Sequence, residues 1–283
     1  MEPFLRLEWL KDYKFPIDDG AELVFDWLER NMVWFFDGLA YLLEAMTDGI
    51  LWTFETIPAL LLILGFVGVT WMLQKNWKIC LLVALGFLFI LNQDYWEETI
   101  ETLTLVLSAC MVCMAAGVPI GIAMAHRPRL YAWVLPILDI MQTLPTFVYL
   151  IPAIVFFGLG EVPGLVATVI FVLPAPIRLT HLGVSNTPTA LVEAAEAFGA
   201  TKRQLLWKVE LPSAFPQIMA GLNQTIMLSL SMVVISALVG ANGLGKPVVN
   251  ALNRVDKGLG FESGLVIVVV AIILDRMLRV NRT

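Results

Sequence analysis

The stretch TPTALVEAAEAFGATKRQLLWKVELPSAFP, residues 187–216, reads as two short amphipathic helices set between long apolar runs. Thr187 is an N-cap residue type, and Pro188 suits the first helical position, where its missing amide proton is not needed. Leu191, Ala194, Ala195 and Phe198 then recur at helical spacing on one face. Gly199 follows where a helix can close on a left-handed residue. Thr201 with Gln204 three residues later is a capping-box pattern for a second helix carrying Leu205, Leu206 and Val209, and Pro212 is expected to end it. A plain connector has no need of apolar faces, so these are expected to be covered by the rest of the chain, by a partner, or by both.

Working outward from this hairpin, apolar runs occupy residues 56–73, 77–91, 100–125, 131–157, 162–177, 216–239 and 263–274. Hydrocarbon is about 30 Å thick and takes about 20 helical residues to cross. The runs therefore predict an all-α, polytopic membrane helical bundle with about seven transmembrane helices. Composition agrees: 59% of the 283 residues are hydrophobic and only 15% charged, and the mean hydropathy is +0.81. An ordinary soluble domain is about half apolar and about a quarter charged. No polybasic stretch is present, which excludes nucleic acid as an expected partner.

Orientation follows from the basic residues. Lys75, Lys78, Arg127, Arg129, Arg178, Lys202, Arg203, Lys208, Arg276, Arg279 and Arg282 fall on one side of the predicted bundle, whereas the short loop 92–98 on the other side has Asp94, Glu97 and Glu98 and no Lys or Arg. The positive-inside rule then puts the amino terminus outside and the carboxyl terminus in the cytoplasm. The acidity of the chain (net charge −6) sits in residues 1–55, which hold 12 acidic and 4 basic residues. This tail has no apolar core of a cleavable signal peptide at its start. Within it, residues 32–54 are rich in aromatic and aliphatic side chains but include Asp37, Glu44 and Asp48. Each carboxylate would cost roughly 2 to 3.5 kcal/mol at a bilayer centre. The segment is therefore read as an interfacial amphipathic helix on the outer leaflet. The domain division is an acidic extracytoplasmic tail, 1–55, and a transmembrane domain, 56–283.

Helix-disturbing residues gather in the middle spans: Gly117, Pro119 and Gly121; Pro136, Pro145 and Pro152; Pro163, Pro174 and Pro176. Irregular backbone at membrane depth is tolerated where protein covers it or where it lines a cavity. The alternatives are kinked packing and a substrate path. Asp139, Gln142, Thr143 and Pro145, with Thr146 beside them, are the candidates for such a path. An acidic group within the membrane is a functional candidate by default, although Asp139 can also serve simply to anchor its helix end.

Taken together, Glu193, Ala194 and Ala195, then three residues, Gly199, then nine residues, Val209, one residue, Leu211 and Pro212 resemble the EAA loop of ATP-binding cassette importer permeases. The only departure is Val209, where isoleucine is common. The likeness narrows over residues 138–276: LDIMQTLPTFVYLIPAIVFFGLGEVPG, AGLNQTIMLSLSMVVISALVG and GFESGLVIVVVAIILDR are similar to permeases of glycine betaine, proline betaine and choline importers, with a type I importer permease fold. The resemblance implies that residues 187–216 form the coupling loop, with Glu193, Ala194, Ala195, Phe198, Gly199, Val209, Leu211 and Pro212 at or near the contact with an ATPase. It also implies a cytoplasmic pair of ATP-binding subunits that hold the ATP and magnesium, none being bound by this chain, and an extracytoplasmic substrate-binding protein. A permease homodimer in the bacterial inner membrane and an osmoprotectant role belong to the same expectation. The tail and residues 241–262 are candidate docking surfaces for the binding protein. A secondary transporter driven by an ion gradient, with Asp139 as coupling acid, is the alternative.

Three weaker patterns are read structurally. Gly240, Gly245 and Lys246 fit the start of a phosphate-binding loop, but Pro247 stands where a Ser or Thr would hold magnesium. Cys110 and Cys113 have C-x-x-C spacing inside an apolar run with no basic neighbour, so packing cysteines are expected. His126 and His181 have no second ligand set at metal spacing and are expected to be solvated or interfacial. No catalytic triad and no metal site is predicted.

Overall fold

The apolar runs become helices because a backbone in hydrocarbon must satisfy its own polar groups. The computed structural model describes residues 16–278, and every regular element among them is helical. Residues 1–15 of the acidic tail, with Arg279 and Arg282 at the other end, lie outside the described residues. In chain order the helices are α1 (Ile17–Asn31), α2 (Val33–Thr56), α3 (Ala59–Gln74), α4 (Trp77–Asn92), α5 (Trp96–His126), α6 (Pro128–Thr143), α7 (Leu150–Phe157) and α8 (Glu161–Val172). They continue as α9 (Pro174–Ser185), α10 (Thr189–Ala197), α11 (Lys202–Leu205), α12 (Leu211–Ala237), α13 (Gly245–Arg254) and α14 (Lys257–Leu278).

Four runs are long and apolar enough to cross hydrocarbon unaided: α5, the joined α8 and α9, the run Lys202–Ala237, and α14. The other expected crossings are less regular. The 16-residue helix α3 follows α2 at a 108° bend, and α4, also 16 residues, reaches only about 24 Å at 1.5 Å per residue. The predicted crossing 131–157 is not one helix. Its two halves, α6 and Thr146–Phe157, meet at 106°. Leu144 is extended because the ring of Pro145 disfavours helical backbone in the residue before it. The Tyr149 hydroxyl donates to the Met141 carbonyl, pairing one of the groups that the break frees.

Gly117, Pro119 and Gly121 were expected to disturb the third span, yet α5 runs unbroken through all three over 31 residues. The two glycines serve packing. A Cβ at Gly121 would lie 2.7 Å from the Ile177 carbonyl oxygen and 2.7 Å from the Thr180 Cβ, so the missing side chain lets α9 seat directly on α5. Around this contact, α12 packs on α9 and α5. The largest apolar cluster joins α3, α4, α5, α12 and α14 through Phe87, Ile90, Val106, Leu230, Val266 and Ile273.

The helix α2 is packed along one side only. Leu39, Leu43 and Met46 meet Ala109 and Leu165 of the core, and the Phe36 ring stacks on Phe156 at 4.2 Å. Asp37, Glu44 and Asp48 are exposed.

Candidate functional site

The hairpin begins one residue later than its sequence predicts. Pro188, not Thr187, is the N-cap of α10, and its carbonyl accepts from the amides of Leu191 and Val192. Thr187 is buried with its hydroxyl unpartnered. At the other end the Gly199 amide donates to the Glu196 carbonyl (2.9 Å) and the Ala200 amide to the Ala195 carbonyl (3.0 Å). This is a Schellman closure. It needs a left-handed residue, and Gly199 has φ +79°. The capping box then forms: the Gln204 amide donates to Thr201 Oγ1 (3.3 Å) and the Thr201 amide to Gln204 Oε1 (2.9 Å).

Pro212 does not end the second helix, as had been expected. A single π-helical turn, Leu206–Glu210, carries α11 into α12. In a regular helix the Pro212 ring would crowd the carbonyl four residues back, and widening the preceding turn moves that carbonyl aside. The hairpin and the span that follows it are consequently one continuous helical arm.

The apolar side chains of this hairpin are largely uncovered. Phe198 is 92% exposed and Trp207 63%. Leu191, Glu193 and Ala194 are also exposed, Ala195, Val209 and Leu211 half-buried, and Pro212 exposed. The core of this chain therefore does not cover that face.

At its hairpin end the arm meets α5 through a polar contact. Glu210, 8% exposed, meets the ring of His126 at the end of α5, with Nε2 2.9 Å from Oε2 and 3.2 Å from Oε1. The other ring nitrogen, Nδ1, lies 2.9 Å from the Ile122 carbonyl. His126 thus sits partly exposed at the end of α5, as an interfacial histidine whose ring also meets Glu210. Beside the pair lies a cleft of about 340 Å³ lined by Glu193, Thr187 and Thr189 among others.

The path candidates lie at the broken crossing. Asp139, Gln142, Thr143 and Pro145 are all exposed on this chain, Thr146 half-buried. Asp139 accepts from Arg178 Nη2 of α9 at 2.6 Å, while the Thr143 hydroxyl donates within its own helix to Ile140.

The remaining patterns have structural roles. In the loop containing Gly240 and Gly245, the Leu244 amide donates to Thr102 Oγ1 (2.8 Å) and the Lys246 amide to the Gly243 carbonyl (3.0 Å). The first amide holds the loop on α5 and the second closes a turn within the loop; neither is directed at a phosphate. Cys110 and Cys113 are buried as free thiols. His181 stacks on Tyr131 at 4.3 Å. Among the described residues no group of three or more His, Cys, Asp or Glu side chains is placed to hold a metal.

Residues 117–281, from the middle of α5 through the broken crossing and the hairpin to the last helix, match the family described as binding-protein-dependent transport system inner membrane component. The chain belongs to this family. The permease is 46% identical over 93% of its length to the glycine betaine transport system permease protein OpuAB of Bacillus subtilis, covering 93% of that protein. It is 41% identical to the glycine betaine/proline betaine transport system permease protein ProW of Escherichia coli, over 93% of this chain and 74% of that one. Among solved structures it is similar to an inward-facing form of the MetNI methionine ABC transporter, with a TM-score of 0.56 and 27% identity over 64% of this chain and 94% of that chain. Membership fixes the type I importer permease fold and the inner-membrane location. The permease is a transport subunit.

Two partners escaped the sequence reading. Glu210 stands inside the quoted motif, between Val209 and Leu211, as a lone acid where an apolar span begins. That position was itself a signal, since an ionisable group entering a span needs a partner. Arg178 was counted only for orientation, yet it is the partner of Asp139.

Proposed function

We propose that this permease forms the membrane path of an ATP-driven importer of glycine betaine or a related quaternary amine such as proline betaine or choline. The observation that carries the substrate class is the 46% identity to a glycine betaine permease across 93% of both chains. ATP and magnesium are held by a separate pair of cytoplasmic ATP-binding subunits, which dock on the exposed Leu191, Ala194 and Phe198 face of the hairpin. An extracytoplasmic binding protein captures the amine, by cation–π attraction in an aromatic cage, and delivers it to the face opposite the hairpin. Two copies of the permease face each other, which gives the exposed Asp139, Gln142, Thr143 and Pro145 a path to line. The amino terminus is outside and α2 lies in the outer interface. The 108° bend into α3 and the exposure of Asp37, Glu44 and Asp48 on α2 support that placement.

An ion-gradient-driven transporter finds no support in the family. Its coupling acid, Asp139, is exposed and paired to an arginine.

The test is uptake of labelled glycine betaine, proline betaine and choline by cells lacking their own systems and expressing the permease with its neighbouring ATPase and binding protein, with and without a salt upshift. ATP-dependent uptake of one of them is the expected result, and activation by salt assigns an osmoprotectant role. Uptake that stops on collapse of the ion gradient with ATP intact overturns the reading.

A further inference from the structure

The hairpin has two attachments to the core. Its first arm continues from α9 through residues 186–188, and its second arm becomes α12 through the π turn. Of the five residues in that turn only Glu210 is buried. The cleft of about 340 Å³ separates the first arm, at Glu193 and Val192, from Ala125 and His126 at the end of α5. Dense apolar packing therefore does not join the first arm to α5. The second arm, in contrast, does reach α5 through a polar contact, between Glu210 and His126, 84 residues apart in sequence.

The chemistry of that contact makes it stiff. Nδ1 of His126 faces a carbonyl and Nε2 faces both oxygens of a carboxylate. The Glu210 carboxyl offers both oxygens as acceptors, so the ring is held to it through Nε2 while Nδ1 stays beside the Ile122 carbonyl. Charge-assisted hydrogen bonds are short and directional. A carboxylate with its side chain only 11% exposed has lost most of its hydration, so separating the pair leaves a buried charge without compensation. Unlike an apolar seam, which can slide, this contact carries a displacement as a push or pull along one line.

We propose that Glu210 and His126 are positioning residues for transport: they form the joint through which movement of the ATPase-docked hairpin reaches α5, the helix on which α9 and α12 pack. The inference rests on the reading of the hairpin as the ATPase contact. In this arrangement the cleft gives the first arm room to move while the joint keeps the second arm and α5 in step.

The experiment uses the whole importer in lipid vesicles, with glycine betaine as solute, and measures ATP hydrolysed and solute moved together with co-purification of the ATPase. Wild type first tests the underlying reading: no ATP-driven uptake overturns that reading and the joint with it. Where wild type transports, Glu210→Gln and His126→Gln should each still co-purify with the ATPase and hydrolyse ATP, but move roughly tenfold or more less solute per ATP, the worth of a charge-assisted bond. The double variant should be no worse than either alone to within roughly twofold, the limit of additivity for independent sites. His126→Arg, which can donate to both carboxylate oxygens, should recover most of the lost ratio. If Glu210→Gln does not assemble, His126→Gln and His126→Arg decide the matter from the half-exposed side of the pair. A solute-to-ATP ratio within roughly twofold of wild type in His126→Gln, or single effects that multiply in the double variant, overturns the joint.

Discussion

Arg178 of α9 reaches the break in the α6–α7 crossing and donates to Asp139 at 2.6 Å. The acid with its partner on another helix thus sits at the end of α6, four residues before the chain turns away. Asp139 is more than half exposed at its side chain, and Arg178 about a third. Water screens such a pair, and its worth in stability is about 1 kcal/mol or less. Its value lies in fixing the direction of α6 where the backbone is broken.

Asp139→Asn should accordingly lower uptake while changing permease stability by less than about 1 kcal/mol. The exchanged pair Asp139→Arg with Arg178→Asp should recover uptake above either single variant. Equal uptake in all three, measured at matched expression, assigns the pair no role in transport.

At Gly199 the expected cost is purely conformational, because a Cβ there would meet nothing within 4 Å. Gly199→Val should destabilise the hairpin by about 1 to 2 kcal/mol through the left-handed backbone. Gly199→Asn, a residue type that tolerates that conformation, should be much milder. Hydrogen exchange at the amides of residues 194–205 would read both, with membrane insertion unchanged. Normal exchange and normal transport in Gly199→Val would remove this account of the turn.

The hairpin was legible in the sequence because its devices are local. The capping pair Thr201 and Gln204 and the closing Gly199 act within a few residues, so spacing alone reveals them. What spacing could not reveal depends on the neighbour. Pro212 looked like a stop because a π turn, which has no sequence rule, lets the helix continue past it. Gly117 and Gly121 looked like weak points, since a sequence does not show that α9 needs their missing side chains. The long-range pairs His126–Glu210 and Asp139–Arg178 join positions 84 and 39 residues apart. Only their chemistry, lone ionisable groups at span ends, hinted at partners.

The seat of α9 on α5 gives the sharpest stability prediction. Gly121→Val would force bulk against the Ile177 carbonyl and Thr180, both at 2.7 Å from the Cβ position. Backbone cannot yield there as a flexible side chain can. Overpacking of this kind costs typically about 1 to 3 kcal/mol, and the expected result is a lower melting temperature and reduced yield of purified permease. Gly65→Ala, inside α3 with nothing within 4 Å of the Cβ position and ordinary helical backbone, is the control for adding a Cβ. Its yield should fall far less.

The exposed hairpin aromatics separate partner contact from folding. Phe198 is 92% exposed and Trp207 63%, so neither contributes much burial to this chain, and Phe198→Asp and Trp207→Asp should leave the melting temperature of the permease alone within about 1 °C of wild type, since surface changes stay within about 0.5 kcal/mol. Burying a large aromatic against a partner is worth about 1.5 to 3 kcal/mol, roughly one to two orders of magnitude in affinity. If the ATPase docks on this face, Phe198→Asp should therefore greatly reduce its co-purification. Glu193→Lys, on the same arm but lining the cleft, reports whether that partner surface is basic: weakened docking expects it to be, and unchanged docking places Glu193 outside the contact while leaving Phe198 within it. Unaltered co-purification in Phe198→Asp and Trp207→Asp together would move the ATPase contact off these aromatics, and the exposed Leu191 side of α10 would be the next to test.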